Sequence, residues 1–269
     1  MMKKNLMLIF TFFVFVACNS DNDVEVRSDE PKGIYTLNIK YQGNMYNVLC
    51  ENVNDSIVFL DKEFESFYLK EIAVKPDLAT LLHSDGTIEY FDNIDAAMRS
   101  QNLTFWDSAL EDVDNQDVVL RRSPYYPPGG GASAGKAILW DDTNYKDRTV
   151  EITIGFQLYF AEGNLKNSDG FNDKTSALRV WSYINNNSTY KNPGYIYPAK
   201  NYKGSELRVV FLGYENSGFN GRALICIPPN GGVHEDPRLK NVPCDSGNWN
   251  DRISSCILRI AEKNMFTSH

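Results

Sequence analysis

Apolar and polar positions alternate along much of the chain. Tyr35, Leu37, Ile39 and Tyr41 are separated by polar residues, Gln42-Gly43-Asn44 breaks the run, and Tyr46, Val48 and Cys50 resume it. Alternation at period two on both sides of a Gly/Asn turn predicts a β-hairpin. Ser56 to Leu60 extends it by a strand. Asp61 then stands as the N-cap of a helix over Lys62 to Val74, where Phe64, Phe67, Tyr68 and Ile72 make an apolar stripe that Pro76 stops. Thr87 to Phe91 reads as a strand and Asn93 to Arg99 as a short helix, so residues 33–120 form a small α+β unit. Ser123 to Gly135 is Pro- and Gly-rich, which removes donors and restraint together, and sets a linker at 121–135. Beyond it the apolar runs Leu178 to Trp181, Arg208 to Leu212, Arg222 to Ile227 and Ile257 to Ile260 predict an all-β unit over 136–263, with an inserted hairpin at about 183–206.

The first residues read as an address. Lys3 and Lys4 precede an apolar run from Leu6 to Ala17, shorter than the roughly 20 residues of a membrane span, so residues 1–17 read as a signal peptide. Ala17-Cys18 resembles a bacterial lipobox, which implies acylation of Cys18 and anchoring to the outer membrane or cell surface. Residues 18–32 carry Asp21, Asp23, Glu25, Asp29 and Glu30 with little to bury, and are expected to be a disordered tether. Their acidic character resembles the surface-export signals of Bacteroidetes lipoproteins.

Composition narrows the function classes. The 269 residues are 42% hydrophobic and 23% charged, enough apolar material for a core. A net charge of -8 with no basic run longer than a pair argues against nucleic acid as a partner. Three His leave few candidates for a general base. His83 lies in a Ser/Asp/Gly turn, His234 is expected in a solvated loop, and His269 is the last residue of the sequence. Gly131-Ala132-Ser133-Ala134-Gly135 spells a nucleophile elbow, but a linker precedes it where a strand is required. No enzyme is expected. Cys50, Cys226, Cys244 and Cys256 allow up to two disulfides in any of three pairings. Cys226 and Cys244 bracket a Pro/Gly loop and are the favoured pair, with free buried thiols as the alternative. Trp181 and Trp249 are expected in the core.

The C-terminal unit repeats itself. Tyr214-Glu215-Asn216-Ser217-Gly218-Phe219-Asn220-Gly221 sets two aromatics five apart with Gly two residues on, where a tight return needs positive φ. Trp140 to Asp147 is a second copy with Asp147 in place of the Gly. Each is followed, 32 and 36 residues after its leading aromatic, by an oxygen-rich loop: Asn172-Asp173-Lys174-Thr175-Ser176-Ala177 and Asn250-Asp251-Arg252-Ile253-Ser254-Ser255.

This pairing of aromatic hairpin with Asx-Asx-x-x-Ser/Thr-Ser loop resembles the βγ-crystallin superfamily, whose microbial members bind Ca²⁺. The resemblance implies a double Greek-key β-sandwich. It also implies two Ca²⁺ sites side by side, built from Asx side chains (Asn172, Asp173, Asn250, Asp251), backbone carbonyls at the third loop position (Lys174, Arg252), the Ser176 and Ser254 hydroxyls, and backbone carbonyls at Asp141 and Glu215. Such oxygens suit a hard cation wanting six to eight of them. The same residues also make ordinary turns and caps without metal. The function expected is that of a lipid-anchored envelope protein whose Ca²⁺ mainly stabilises the fold. The alternative is a recognition module for a protein, in the manner of a protease inhibitor, or for a glycan, with the Tyr-rich insertion as contact surface.

Overall fold

In a computed structural model, residues 33–54, 56–105, 134–155, 159–168, 170–184 and 206–263 are described. The expected signal peptide, Cys18, the tether, the linker before Ala134 and most of the inserted hairpin lie outside them. No helix among these residues is long and apolar enough to cross a membrane.

The first hairpin forms where alternation predicts it. Strands β1 (Ile34–Tyr41) and β2 (Asn44–Val53) pair antiparallel, with Leu37, Ile39, Tyr41, Val48 and Cys50 turned inward. β3 (Ser56–Phe59) adds the edge. Asp61 Oδ1 accepts from the Glu63 and Phe64 amides at 2.9 and 3.0 Å, starting α1 (Lys62–Phe67). The helix then widens into a π-turn over Tyr68–Ile72, with the Ala73 amide reaching back to Tyr68 O. The buried positions Phe64, Tyr68 and Ile72 recur every four residues, a spacing that drifts by about 40° per step on an α-helix. The wider turn counters that drift and keeps Ile72 on the core. β4 (Ala79–Leu82), β5 (Ile88–Phe91), α2 (Ile94–Ser100, capped by Asn93) and β6 (Leu103–Phe105) complete this part.

Ten more strands follow: β7 (Gly135–Asp142), β8 (Lys146–Ile154), β9 (Tyr159–Glu162), β10 (Ala177–Ser182), β11 (Glu206–Asn216), β12 (Asn220–Cys226), β13 (Val233–Asp236), the short pair β14 (Pro243–Cys244) and β15 (Gly247–Asn248), and β16 (Ser255–Lys263). They form two Greek keys that trade their third strands. β7, β8 and β10 lie in a four-stranded sheet with β13 of the second motif, while β9 of the first motif pairs with β16 of the second. The C-terminal part is therefore the expected double Greek-key β-sandwich.

Sequence patterns place the two parts on either side of a linker. In the structure they share a sheet and a core. β4 pairs in parallel with β12, from Ala79↔Ala223 to Leu82↔Cys226, so that one sheet of ten strands runs in the order β3-β2-β1-β5-β4-β12-β11-β16-β6, with β9 beside β16. The inner face of this sheet is covered by the four-stranded sheet at one end and by α1 at the other, within a single buried cluster that includes Phe64, Tyr90, Leu139, Phe211 and Trp249. α2 covers part of the outer face, packing Ala97 and Met98 against Leu81, Val210, Leu212 and Ile225. Polar ties cross the same junction. The Trp249 indole donates to Thr80 Oγ1 at 3.2 Å, Tyr90 Oη to Pro243 O at 2.8 Å, and Arg222 Nη2 to Ala73 O at 3.1 Å.

Three expectations need correction. Cys226 and Cys244 are not bridged, and all four described cysteines are free and buried. Cys226 sits near Asp236 while Cys244 sits near Tyr68 and Tyr90, so the intervening loop does not bring the sulfurs together. Burial pushes the Cys50 and Cys244 thiols up to about 12 and Cys226 and Cys256 upward as well, which suppresses the thiolate that oxidation needs. They serve as small apolar groups. Trp249 is buried as expected, but Trp181 points to the outer face of the four-stranded sheet, where Lys136 Nζ lies 5.9 Å from its ring centre. His234 is not in a solvated loop: it is 3% exposed on β13, and burial pushes it down to about 4.

Melting curves with and without a thiol reductant should coincide, and the folded protein should leave Cys50, Cys226, Cys244 and Cys256 unlabelled by a thiol reagent. A melting temperature that falls on reduction would contradict the free thiols.

Candidate metal centre

The repeat gives the two halves of the site matching turns, loops and contacts. In each hairpin the ladder slips by one residue just after the leading aromatic, between Trp140 and Asp142 and between Tyr214 and Asn216. Such a bulge sets two residues of one strand against one of the other. The two are Asp147-Arg148 and Gly221-Arg222 on the returning strands, and the single residues facing them are Asp141 and Glu215. The turns that follow are left-handed at equivalent places: Asn144, Tyr145 and Asp147 (φ 57°, 61° and 62°) match Gly218, Phe219 and Gly221 (72°, 61° and 79°). Asp147 thus adopts the backbone that Gly adopts in the complete copy. The aromatic pairs close both turns edge to face, Trp140 on Tyr145 at 5.0 Å and Tyr214 on Phe219 at 5.8 Å.

The oxygen-rich loops dock onto these bulges. The amides of Ser176 and Ser254 donate to Trp140 O and Tyr214 O, both at 2.8 Å, which seats each hydroxyl beside the next carbonyl of its hairpin, Asp141 O or Glu215 O. The Asp173 amide donates to Ile253 O and the Asp251 amide to Thr175 O, so each loop clasps the other. Both aspartates hold left-handed backbone, φ 51° and 54°.

As a result the donors group across the loops rather than within them. Ser176 Oγ lies 3.0 Å from Asp141 O and 3.0 Å from Asp251 Oδ1. Ser254 Oγ lies 2.7 Å from Glu215 O and in short contact with Asp173 Oδ1. A serine hydroxyl has one proton to donate. In each cluster that proton serves one of two acceptors, so hydroxyl, carboxylate and carbonyl oxygens stand together around a single hydroxyl proton.

The remaining expected ligands surround these clusters. Asn250 Nδ2 donates to Asp251 Oδ2 at 2.9 Å, and Asn172 Nδ2 makes the equivalent bond to Asp173 Oδ2. Asn250 Oδ1 is buried and has no hydrogen-bond partner. Lys174 and Arg252 occupy the third position, between the Asp and Ser of each loop. Burial, and then Asp141 and Asp142, raise the Asp251 carboxyl above its ordinary range, against the Ser176 hydrogen bond and the Lys174 charge. The sixth loop position is structural: Ser255 Oγ accepts from the Phe219 amide at 3.1 Å and donates to Asn216 O at 2.7 Å, a clamp that Ala177 cannot make in the first copy.

The donor types suit a hard cation. Each cluster gathers one carboxylate, one hydroxyl and one backbone carbonyl, about half of the six to eight oxygens that Ca²⁺ takes, so water or further backbone carbonyls would complete the shell. Among the described residues no group of three or more His, Cys, Asp or Glu gathers that could hold a metal ion. A site with a single carboxylate neutralises less charge and binds more weakly than one with several.

One feature of the repeat is readable in the sequence only once the two copies are laid side by side. The acid after each leading aromatic pairs with an Arg seven residues on: Asp141 with Arg148 and Glu215 with Arg222. In the second copy this pair grows into a network. Arg252 Nη1 reaches Glu215 at 2.9 Å and Asp245 at 2.8 Å, and Arg222 reaches Asp245 at 3.4 Å. Through Arg222 and its bond to Ala73 O, the second cluster connects to the end of α1.

No family model matches the chain, and no curated protein matches it by sequence. Among solved structures, the chain is similar to a beta gamma crystallin from Ciona intestinalis at 18% identity, over 45% of this chain and 95% of that one, with a TM-score of 0.25. It is similar to the N-terminal domain of Protein S at 14% identity, over 46% and 93%, with a TM-score of 0.25. A clostrillin double mutant in complex with nickel matches at 15% identity over 46% and 97%, with a TM-score of 0.26.

The unequal hairpin turns give opposite mutational outcomes. Gly221→Ala places a Cβ 2.5 Å from Asn216 Nδ2 on a backbone at φ 79°, and should destabilise by about 1–3 kcal/mol. Asp147→Gly removes a left-handed Asp and should be neutral or stabilising by up to about 0.5 kcal/mol. Denaturant midpoints of both variants test the equivalence of the turns, and equal losses would contradict it.

Proposed function

We propose that this chain is an envelope lipoprotein whose sandwich binds Ca²⁺ at the two composite clusters, and that the ion's main effect is to stabilise the fold. The observation that carries the reading is the crowding of oxygens around Ser176 and Ser254, in which a carboxylate, a hydroxyl and a backbone carbonyl converge in both halves of the repeat. A turn or cap without metal would satisfy such oxygens with amide donors. Bound Ca²⁺ would supply a positive centre shared by a hairpin, one loop's Ser and the other loop's Asp. The protein's own residues do the rest: the hairpins present the Asp141 and Glu215 carbonyls to the Ser hydroxyls, the Asp–Ser contacts hold the loops in register, and Asn172 and Asn250 bond the carboxylates. The lipid anchor at Cys18 and the surface location rest on the Lys3-Lys4 start, the short apolar run and the acidic tether. His83 Nε2 is engaged by Glu89 at 2.8 Å, and Gly135 of the elbow-like motif opens a strand instead of a helix.

Scanning calorimetry with saturating Ca²⁺ and with chelator tests the reading. At about 100 times Kd each site adds about 2.7 kcal/mol, enough to raise Tm by several degrees. Asp251→Ala and Asp173→Ala should each remove one binding event from the titration isotherm, with Kd for the wild type in the micromolar range or weaker. A Tm indifferent to Ca²⁺ would sink the proposal.

One observation favours recognition as a second role. Trp140, Tyr145, Trp181 and Tyr183 stand on the outer face of the four-stranded sheet, among Lys136 and Arg179, with Arg179 stacked 3.7 Å from the Tyr145 ring centre and Tyr183 50% exposed. Flat aromatic faces flanked by charged donors suit a glycan. Trp181→Ala should abolish retention on an immobilised polysaccharide that holds the wild type, while leaving the Ca²⁺ isotherm unchanged; a wild type that no polysaccharide retains would remove this role.

A further inference from the structure

We propose that the cleft beyond the C-terminal end of α2, on the outer face of the ten-stranded sheet, binds a small organic carboxylate with an apolar body. The cleft encloses about 240 Å³ at the seam of the two parts: His83 follows β4, Gln101 ends α2, Arg208 lies on β11 and Lys263 ends β16. Clefts between structural units are common ligand sites, and typical ones run to about 300–1,000 Å³, so this one suits a small molecule.

Its lining has three bases and no acid, in a chain whose net charge is -8. The acids stand behind the bases. Glu206 holds Arg208 Nη2 at 2.5 Å and Lys263 Nζ at 3.7 Å. Glu89, buried, holds His83 Nε2 at 2.8 Å on one oxygen and Lys40 Nζ at 2.8 Å on the other. Arg208 and Lys263 share one carboxylate, and Lys40 already meets the charge of Glu89. Arg208 and Lys263 are therefore fixed in place with one positive charge in excess of Glu206, an arrangement that meets an anion without reorganising. Gln101 adds an amide, and Leu103, Ile227 and Pro229 give an apolar wall. A carboxylate at the basic rim with its hydrocarbon against that wall uses both surfaces. Inorganic phosphate would use only the first.

Benzoate, benzyl alcohol and inorganic phosphate are the probes, titrated into the full chain by calorimetry and followed by saturation-transfer NMR. Benzoate should bind with Kd on the order of millimolar, more tightly than phosphate, and benzyl alcohol should not bind. Arg208→Gln and, independently, the partly exposed Lys263→Gln should each weaken benzoate about tenfold, the loss of one charge-assisted hydrogen bond. Neither should change the melting temperature or the Ca²⁺ isotherm. Failure of benzoate to saturate the wild type, phosphate binding tighter than benzoate, or wild-type affinity in both folded variants would overturn the proposal.

Discussion

Every feature of the candidate centre depends on one constraint, the exchange of third strands between the two Greek keys. Because β9 pairs with β16 and β13 pairs with β10, neither motif can close its sheet without the other. That exchange is what brings the two loops together. Each loop leads into the fourth strand of its motif, and each fourth strand is flanked by a strand of the opposite motif. The clasp between the Asp173 amide and Ile253 O, and between the Asp251 amide and Thr175 O, is the local expression of the same pairing. A carboxylate from one motif thus meets a hydroxyl from the other, and ions at these clusters would tie together parts of the chain that the sheets already interlock. An ion bound there would bind only the folded state and so would stabilise it, since neither motif alone holds a complete cluster.

A second constraint concerns β12. In the sandwich alone it would be an edge strand, with unpaired amides and carbonyls open to other chains. Here β4 fills that edge, and the N-terminal sheet carries the exposed edge away to β3. The junction is reinforced on both faces of the sheet, by α1 and Tyr90 inside and by Ala97 and Met98 of α2 outside. The charged network of Glu215, Arg222, Asp245 and Arg252 lies at the same place. Glu215 gives its carbonyl to one cluster and its carboxylate to this network, and Arg222 passes the connection to Ala73 O. The N-terminal part is therefore integral to the environment of the second cluster.

What the sequence disclosed was local. The first hairpin, the Asp61 cap, the turns and the twin loops are all written in residues within a few positions of one another, where period-two alternation, capping and positive φ have short-range signatures. β9 and β13 were not readable: each is four residues long, and His234-Glu235-Asp236 looks like loop until its pairing with β10 is known. β4 escaped for the same reason, because its four buried residues between turns show no alternation. The bridging of Asp251 to Ser176 and of Asp173 to Ser254 was equally hidden, since a loop's internal spacing says nothing about which other loop the strand order will bring beside it. The cysteine spacing pointed to a bridge only as long as the surroundings of each thiol were unknown. Trp181 alternates correctly with Val180, yet which face of the sheet is inside depends on a partner sheet that the strand's own sequence does not specify.

The distribution of backbone strain gives independent weight to the centre. Of the ten non-glycine residues with positive φ among the described residues, six lie in the two hairpins and two loops that build the clusters. Two of these, Tyr145 and Phe219, are aromatic, and a bulky side chain in the left-handed region is a real outlier that tertiary packing must hold in place. In both copies the hold is the edge-to-face contact with the leading aromatic, and in the second copy Ser255 adds its clamp on the Phe219 amide. Asp173 and Asp251 are strained in the same sense, and their carboxylates stand against hydroxyl and carbonyl oxygens around a single hydroxyl proton. A fold selected only for stability would relax such contacts with a Gly in the turn or an amide donor in the cluster. The same arrangement occurs twice, at equivalent positions with different flanking residues, and a positive charge bound at each cluster would relieve it.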